Sequence, residues 1–390
     1  MDIGFNLFWK SRIISDRPIE ELSGRNGRYS SLPTPDYAEC KPFEIFGEAN
    51  FNSNMRRHLP TRSLSLVKNG LVHGQSAALF TLNGFGRADH WSVLPELALN
   101  LDAGNYSRFF EKGPMGWRFA ANPMLRPTKQ YEKGVLIGSR YSFNFFHFIC
   151  DSLVRVLIAD EASEFDGWPL VITPSAPQIV EIARMLCPQR EIIVMEADDL
   201  IRFETLAVPV SSSYSPDDPN RSDDAVMDVP YLPDLRSKLT KPGKLADDRS
   251  ILFIKRQFYQ TENGAISRTI LNQEDVIACI AAQGGEVISP ELMTIEAQRE
   301  AFSGAGIVVA MAGGALANVI FCRPGTTIIM ICQNKIVQPA YFGLMFDALG
   351  LNFLIVASEP VDGSNPHPSH LSVNVDIGVL RKALDREKLI

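Results

Sequence analysis

Long apolar runs are missing from this chain of 390 residues. The longest candidates, such as IVVAMAGGALANVIF, are interrupted by glycines and fall short of the ~20 apolar residues that span a bilayer. No transmembrane helix is expected. The opening stretch MDIGFNLFWKSRII has no basic leader, long apolar region or small-residue cleavage site, so no secretory signal is expected either. Cysteine is sparse: six residues, at positions 40, 150, 187, 279, 322 and 332, show no CxxC spacing. That excludes a disulfide framework or a zinc ribbon and points to free thiols in a reducing cytosol. Basic excess is absent too. With 38 Lys and Arg against 45 Asp and Glu, the formal charge is −7, which gives no overall footprint for nucleic acid. Neither G-x-G-x-x-G nor G-x-x-x-x-G-K-[ST] occurs intact, which disfavours a nicotinamide-dependent oxidoreductase and a P-loop enzyme.

What is there is ordinary for a packed protein: 45% hydrophobic and 21% charged residues. At one domain per ~150 residues, the length suggests two or three domains. Residues 1–62 are rich in turn formers, as in SGRNGRYSSLPTPDYAECKP, and read as an irregular arm. From Ser63 short apolar runs are separated by Asn69-Gly70 and Asn83-Gly84, dipeptides suited to tight hairpin turns. A small antiparallel β region is expected there.

From Gly134 the pattern alternates: GVLIG, a helical stretch over Ser142–Ala159, PLVIT, a helix over Ala176–Leu186, EIIVM and LAVPV. Such βαβ alternation packs as a parallel sheet. The first α/β domain therefore runs over 63–240 and includes a polar connection, PVSSSYSPDDPNRSDDAVMDVP. A cleaner alternation follows from ILFIK to NFLIV. This second domain, 245–360, reads as Rossmann-like and doubly wound. Residues 361–390 form a loop and a terminal helix, which is expected to pack back on the first domain.

Three constellations carry chemistry. In YSFNFFHFICDSLVRVL, Asn144, His147, Asp151 and Arg155 are spaced by 3, 4 and 4 residues, so ~100° per residue places them within roughly 80° of arc on one helix. A solvated face with an Asp151–Arg155 ion pair is one reading. The other is a polar stripe whose Asp or His accepts a proton from a substrate hydroxyl. The second constellation is a buried strand ending at Met311, followed by Gly313, Gly314 and Ala315, where a helix N-terminus can bind phosphate; tight packing is the alternative. The third is a strand ending in Lys255-Arg256, with Arg268 ahead of Asn272 and Glu274. Arg matches phosphate oxygens bidentately, although surface salt bridges would use the same residues. His367 and His370 resemble a metal-site fragment without a third ligand, so no metal site is assigned.

Taken together, these blocks resemble glycosyltransferase family 61. Its N-x-x-H-x-x-x-D-x-x-x-R helix is matched by Asn144, His147, Asp151 and Arg155. Its strand-end Arg, following Arg and Asn-Glu helix start are approached by Arg256, Arg268 and Asn272. Its run from a helix Gln to a G-A-G-L-x-N segment and a P-G turn is matched by Gln298, Gly313 to Asn318, and Pro324-Gly325. The chain departs from the pattern at Lys255, Ala312 and Met330, where the family usually has Ser, His and Glu.

The resemblance implies a two-Rossmann (GT-B type) fold around a cleft and an inverting, metal-independent transfer from a nucleotide sugar, most often a UDP-sugar. The acceptor would be the hydroxyl of a glycan or lipid-linked glycan in capsular or extracellular polysaccharide biosynthesis. Asp151 would be the base with His147 as rival or partner. Asn144 and Arg155 would bind substrate, while Arg256, Arg268, Asn272, Gln298, Gly313, Gly314, Ala315 and Asn318 would hold the nucleotide diphosphate. No cofactor beyond the nucleotide-sugar co-substrate is implied. A cytoplasmic location is expected, with peripheral attachment at the inner membrane face. The departures at Ala312 and Met330 keep a non-catalytic nucleotide- or glycan-binding protein as the alternative.

Overall fold

The computed structural model describes residues 28–49, 56–74, 77–81, 84–87, 110–113, 116–119, 127–139, 141–213, 225–240, 250–256, 269–334, 339–361 and 371–388. The chain is a mixed α/β protein that divides into two compact units. One holds the residues through Asp36 together with His58–Asp228; the other holds Tyr37–Arg57 and the residues from Val229 onward. The segment Leu232–Leu239, read from the sequence with the first domain, therefore falls in the second unit.

The first unit is built on an eight-stranded sheet. Its strands include β1 (Ser63–His73), β2 (Lys129–Leu136), β3 (Leu170–Ile172), β4 (Ile192–Val194) and β5 (Leu200–Val210). The order is β4-β3-β2-β5-β1, with β2 to β5 parallel and β1 antiparallel to β5. Ala78–Thr81 and Gly84–Arg87 extend the edge as the expected antiparallel region. Val135, Leu136, Ile137, Leu170, Val171 and Ile172 are all fully buried, as expected of parallel strands covered on both faces. Gly134 makes this packing feasible: a Cβ there would come within 2.8 Å of both Phe203 and Val171.

Two expectations are corrected here. Asn69-Gly70 is not a turn; β1 runs straight through it, pairing Lys68 with Thr205 and Gly70 with Phe203. Asn69 has a φ of 54° and accepts a 2.9 Å hydrogen bond from Arg202 Nη2 through Oδ1. Asn tolerates this left-handed backbone without ending the strand. The supposed irregular arm also contains paired strands: Arg28–Ser31 lies antiparallel to β1, and Glu44–Phe46 joins the second unit's sheet. Backbone pairing there needs no strong hydrophobic alternation, so composition alone hides it.

The second unit has the parallel strands β6 (Ile251–Ile254), β7 (Glu286–Ile288), β8 (Ile307–Met311), β9 (Thr327–Gln333) and β10 (Asn352–Pro360). Their order is β7-β6-β8-β9-β10, in chain order 2-1-3-4-5, so the winding reverses between β6 and β8. One face is covered by the helices Gln273–Ala281 and Ile377–Lys388, whose Val276, Ile280, Leu380 and Leu384 join a core with Phe253, Val309, Ile331 and Val356. The terminal helix thus spends its apolar side on the core of its own unit. Among the described residues, no helix is long and apolar enough to cross a membrane.

Candidate functional site

In the first unit the parallel strands run β4-β3-β2-β5, and the direction of winding changes between β2 and β5. Ligands of such sheets bind beyond the carboxyl ends of the strands at this switch point. The segment leaving β2 is tightly organised there. Gly138 packs so closely that a Cβ would lie 2.7 Å from Thr173 N. Ser142 Oγ accepts from Ser139 N at 2.6 Å and pairs with Ser152 Oγ at 2.7 Å, tying the strand exit to the following helix. Thr173 Oγ1 donates to Ser139 O at 3.2 Å.

That helix is not continuous α-helix. Phe145–His147 forms one α turn, Phe148–Ser152 is a π turn in which Leu153 N–H donates to Phe148 O, and Leu153–Asp160 resumes α geometry. Wider π turns recur at functional sites because they re-aim side chains. They also break the 100° phasing, so the single polar stripe expected from spacing dissolves. Asn144 is the N-cap, its Oδ1 accepting from Phe146 N at 3.0 Å. Arg155 is buried and donates from Nη1 to Gly138 O at 3.2 Å, which ties the helix to the β2 exit. Both residues have local structural work that substrate binding alone did not foresee.

The central pair remains. His147 Nδ1–H donates to Asp151 Oδ2 at 2.8 Å, and the imidazole stacks beside Tyr141 with ring centroids 5.3 Å apart. The carboxylate can only accept, so the tautomer follows from the contact. Asp151 is buried, and its other oxygen, Oδ1, has no hydrogen-bond partner. Native structures seldom leave a buried carboxylate oxygen unpaired, so Oδ1 calls for a partner, be it a water, an ion or a ligand hydroxyl. Cys150 beside it is no rival nucleophile, since burial pushes its thiol well up and the charge of Asp151 adds to the shift.

Composition did not point to two further hydroxyls near this switch point. Ser211 and Ser212 follow β5 directly, are buried, and have Oγ atoms without partners. Ser212 N donates to Asp228 Oδ2 at 2.8 Å, and Arg62 grips the same carboxylate through Nε and Nη2 at 2.6 to 3.1 Å. The serine triplet after a strand was the available signal, but it read as linker.

In the second unit, the switch between β6 and β8 brings together two of the sequence-predicted blocks. Arg256 leaves the end of β6 and is half-buried, with Nη1 buried and unpartnered. Beyond β8, Gly313 leads into a 3₁₀ helix, Gly314–Phe321, instead of the expected α-helix. Asn318 on it is buried with Oδ1 unpartnered. A donor and an acceptor thus stand unsatisfied on segments leaving neighbouring strands. Lys255 Nζ lies 3.5 Å from Glu274.

Two other predicted ligand contacts have structural duties. Asn272 clips the chain near its terminal helix, donating from Nδ2 to Val375 O and accepting from Val375 N through Oδ1, both at 2.9 Å. Gln298 is buried and donates to Pro290 O at 2.8 Å and Met293 O at 3.1 Å. Each satisfies backbone groups that a loop would otherwise leave unpaired. Ala312 and Met330 are buried core residues. Arg268, His367 and His370 lie outside the described residues. Among the described residues, no group of three or more His, Cys, Asp or Glu is placed to hold a metal ion.

The family model described as Glycosyltransferase 61 matches residues 145–329. No curated protein matches the chain. The matched segment begins at the turn that carries His147, contains Asp151, Arg256, Gly313 and Asn318, and closes within β9. The segment 145–329 is therefore similar to glycosyltransferase family 61.

Proposed function

We propose that the protein transfers a hexose or pentose, with inversion, from a nucleotide diphosphate sugar to the hydroxyl of a glycan or lipid-linked glycan. The donor is a UDP-sugar, and the product belongs to capsular or extracellular polysaccharide. The reading is carried by one observation: Asp151 Oδ1 is an unpaired, buried carboxylate oxygen at a sheet switch point, fixed in orientation by His147. An acceptor O–H would donate to it, and the same oxygen would take the proton as the C–O bond to the anomeric carbon forms.

Inversion follows from a single displacement, with the acceptor oxygen entering opposite the departing diphosphate. Negative charge then accumulates on that leaving group. Arg256, together with Arg268 and the amides of Gly314 and Ala315, would stabilise it without a metal. The unpartnered Nη1 of Arg256 supports this assignment. The two units act together in a GT-B manner in this scheme, with the acceptor on the first and the donor on the second. A cytoplasmic enzyme at the inner membrane face suits a lipid-linked acceptor.

A panel of nucleotide sugars tests this reading, because a ligand selective for the native state raises the apparent melting temperature. A UDP-sugar should stabilise the protein and be consumed in EDTA when acceptor is supplied. Stabilisation by no nucleotide sugar would reject it. Binding without transfer or hydrolysis would instead favour a non-catalytic binding protein, the reading suggested by Ala312 and Met330.

A further inference from the structure

Tyr141 precedes the family-matched segment and belongs to none of the constellations read from the sequence, yet its backbone is held on both sides. Its N–H donates to Ser139 Oγ at 3.3 Å, and its carbonyl accepts from Asn144 N at 2.9 Å. Ser139 N in turn donates to Ser142 Oγ, which pairs with Ser152 Oγ beside Asp151. The Tyr141 ring lies against the His147 imidazole, with centroids 5.3 Å apart and planes inclined by 30°. The buried Phe146 meets the same imidazole near a right angle, at 84° and 5.8 Å between centroids. His147 therefore sits in a corner made by two aromatic rings.

Such a corner matters because the torsion that turns an imidazole about its bond to Cβ is broad, without sharp staggered wells. The bond from Nδ1 to Asp151 Oδ2 orients the carboxylate only while that torsion holds. Half a turn of the ring would present carbon Cδ2 to the carboxylate in place of Nδ1. A ring packed against one face opposes this, since the turning imidazole would drive its edge into Tyr141 and lose the contact. We infer that Tyr141 is a positioning residue for the transfer reaction: its ring holds the His147 imidazole in the orientation that aims Asp151. The inference deepens the proposed function and rests on it for its kinetic consequence.

Two substitutions in the full chain test it: Tyr141→Leu removes the ring but keeps apolar bulk, and Tyr141→Phe keeps the ring. Tyr141→Leu should lower kcat about two- to tenfold, the effect of losing one aromatic pair, with UDP affinity and acceptor KM at wild-type values. Tyr141→Phe should keep the wild-type kcat. In a His147→Ala background Tyr141→Leu should cost nothing more, because the group it acts through is gone. An equal loss in both backgrounds overturns the inference, and so does a Tyr141→Phe variant as slow as Tyr141→Leu. Isotope-edited NMR of the His147 ring nitrogens, assigned by their loss in His147→Ala, gives a readout free of turnover. Wild type and Tyr141→Phe should show one ring orientation with Nδ1 protonated, and Tyr141→Leu a shifted or averaged signal. Unchanged His147 signals in Tyr141→Leu overturn the inference whatever the activity. A wild type that shows this signature but transfers no sugar would reject the proposed function and leave the positioning of His147 by Tyr141 standing.

Discussion

His147 and Asp151 face each other across one turn of the helix that follows β2, with Nδ1 donating to Oδ2 at 2.8 Å and Oδ1 of the carboxylate left without a partner. The intervening π turn gives the pair its setting, and the bonded serines anchor it to the sheet. The imidazole consumes one carboxylate oxygen and orients the other. His147 is therefore a positioning residue in this account, acting through Asp151.

Residues that act as a unit lose activity non-additively. His147→Ala should lower kcat about 10- to 100-fold, and adding it to Asp151→Asn should cost little more than Asp151→Asn alone. His147→Asn, which keeps a donor near Oδ2, should recover part of the loss. A double variant whose defect equals the product of the single defects would show that the two residues work separately.

Arg256 is expected to act on binding. Arg256→Ala should weaken UDP affinity by about 1.5 to 3 kcal/mol, the range for a hydrogen bond to a charged group. Calorimetry returning the wild-type affinity would remove Arg256 from the diphosphate site.

The Arg62–Asp228 pair is structural. Asp228 is fully buried, and Arg62 grips it across 166 residues of chain. Asp228→Ala would leave a guanidinium buried without its countercharge and should destabilise the fold by about 3 to 5 kcal/mol. Urea denaturation measures this directly, and a change within experimental error would contradict the assignment.

Asp199 supplies a pH dependence. Burial pushes its carboxyl up, but Lys129 Nζ at 2.7 Å, Glu196 N at 2.9 Å and Thr128 Oγ1 at 2.8 Å outweigh that and hold it below the ordinary value. Because the folded value is the lower one, this stabilisation is fully present above the unfolded carboxylate value of about 4 and is lost as pH falls through the folded value. Wild type should therefore lose more stability between about pH 5 and pH 2 than Asp199→Asn does. Parallel curves for the two proteins would show that Asp199 contributes nothing.

The parallel strands were legible because Gly134–Gly138 and Ile307–Met311 are short, fully apolar and bounded by glycines. The His147–Asp151 contact was legible too, since four residues of separation bring two side chains together on a helix. The π turn was not, because it leaves the same residues in the same order and changes only the hydrogen-bond step. Nor were the duties of Asn272 and Gln298: whether an amide side chain holds a ligand or a loop carbonyl depends on partners distant in sequence, such as Val375, 103 residues away. Arg62 was hidden for the same reason.

Turnover of Asp151→Asn is the most direct measurement, taken with UDP affinity on the same preparation. If Asp151 Oδ1 receives the acceptor proton, turnover falls at least about 100-fold, the lower range for loss of a general base, while UDP binds as in wild type. Turnover within a few-fold of wild type would contradict the assignment of Asp151 as the base.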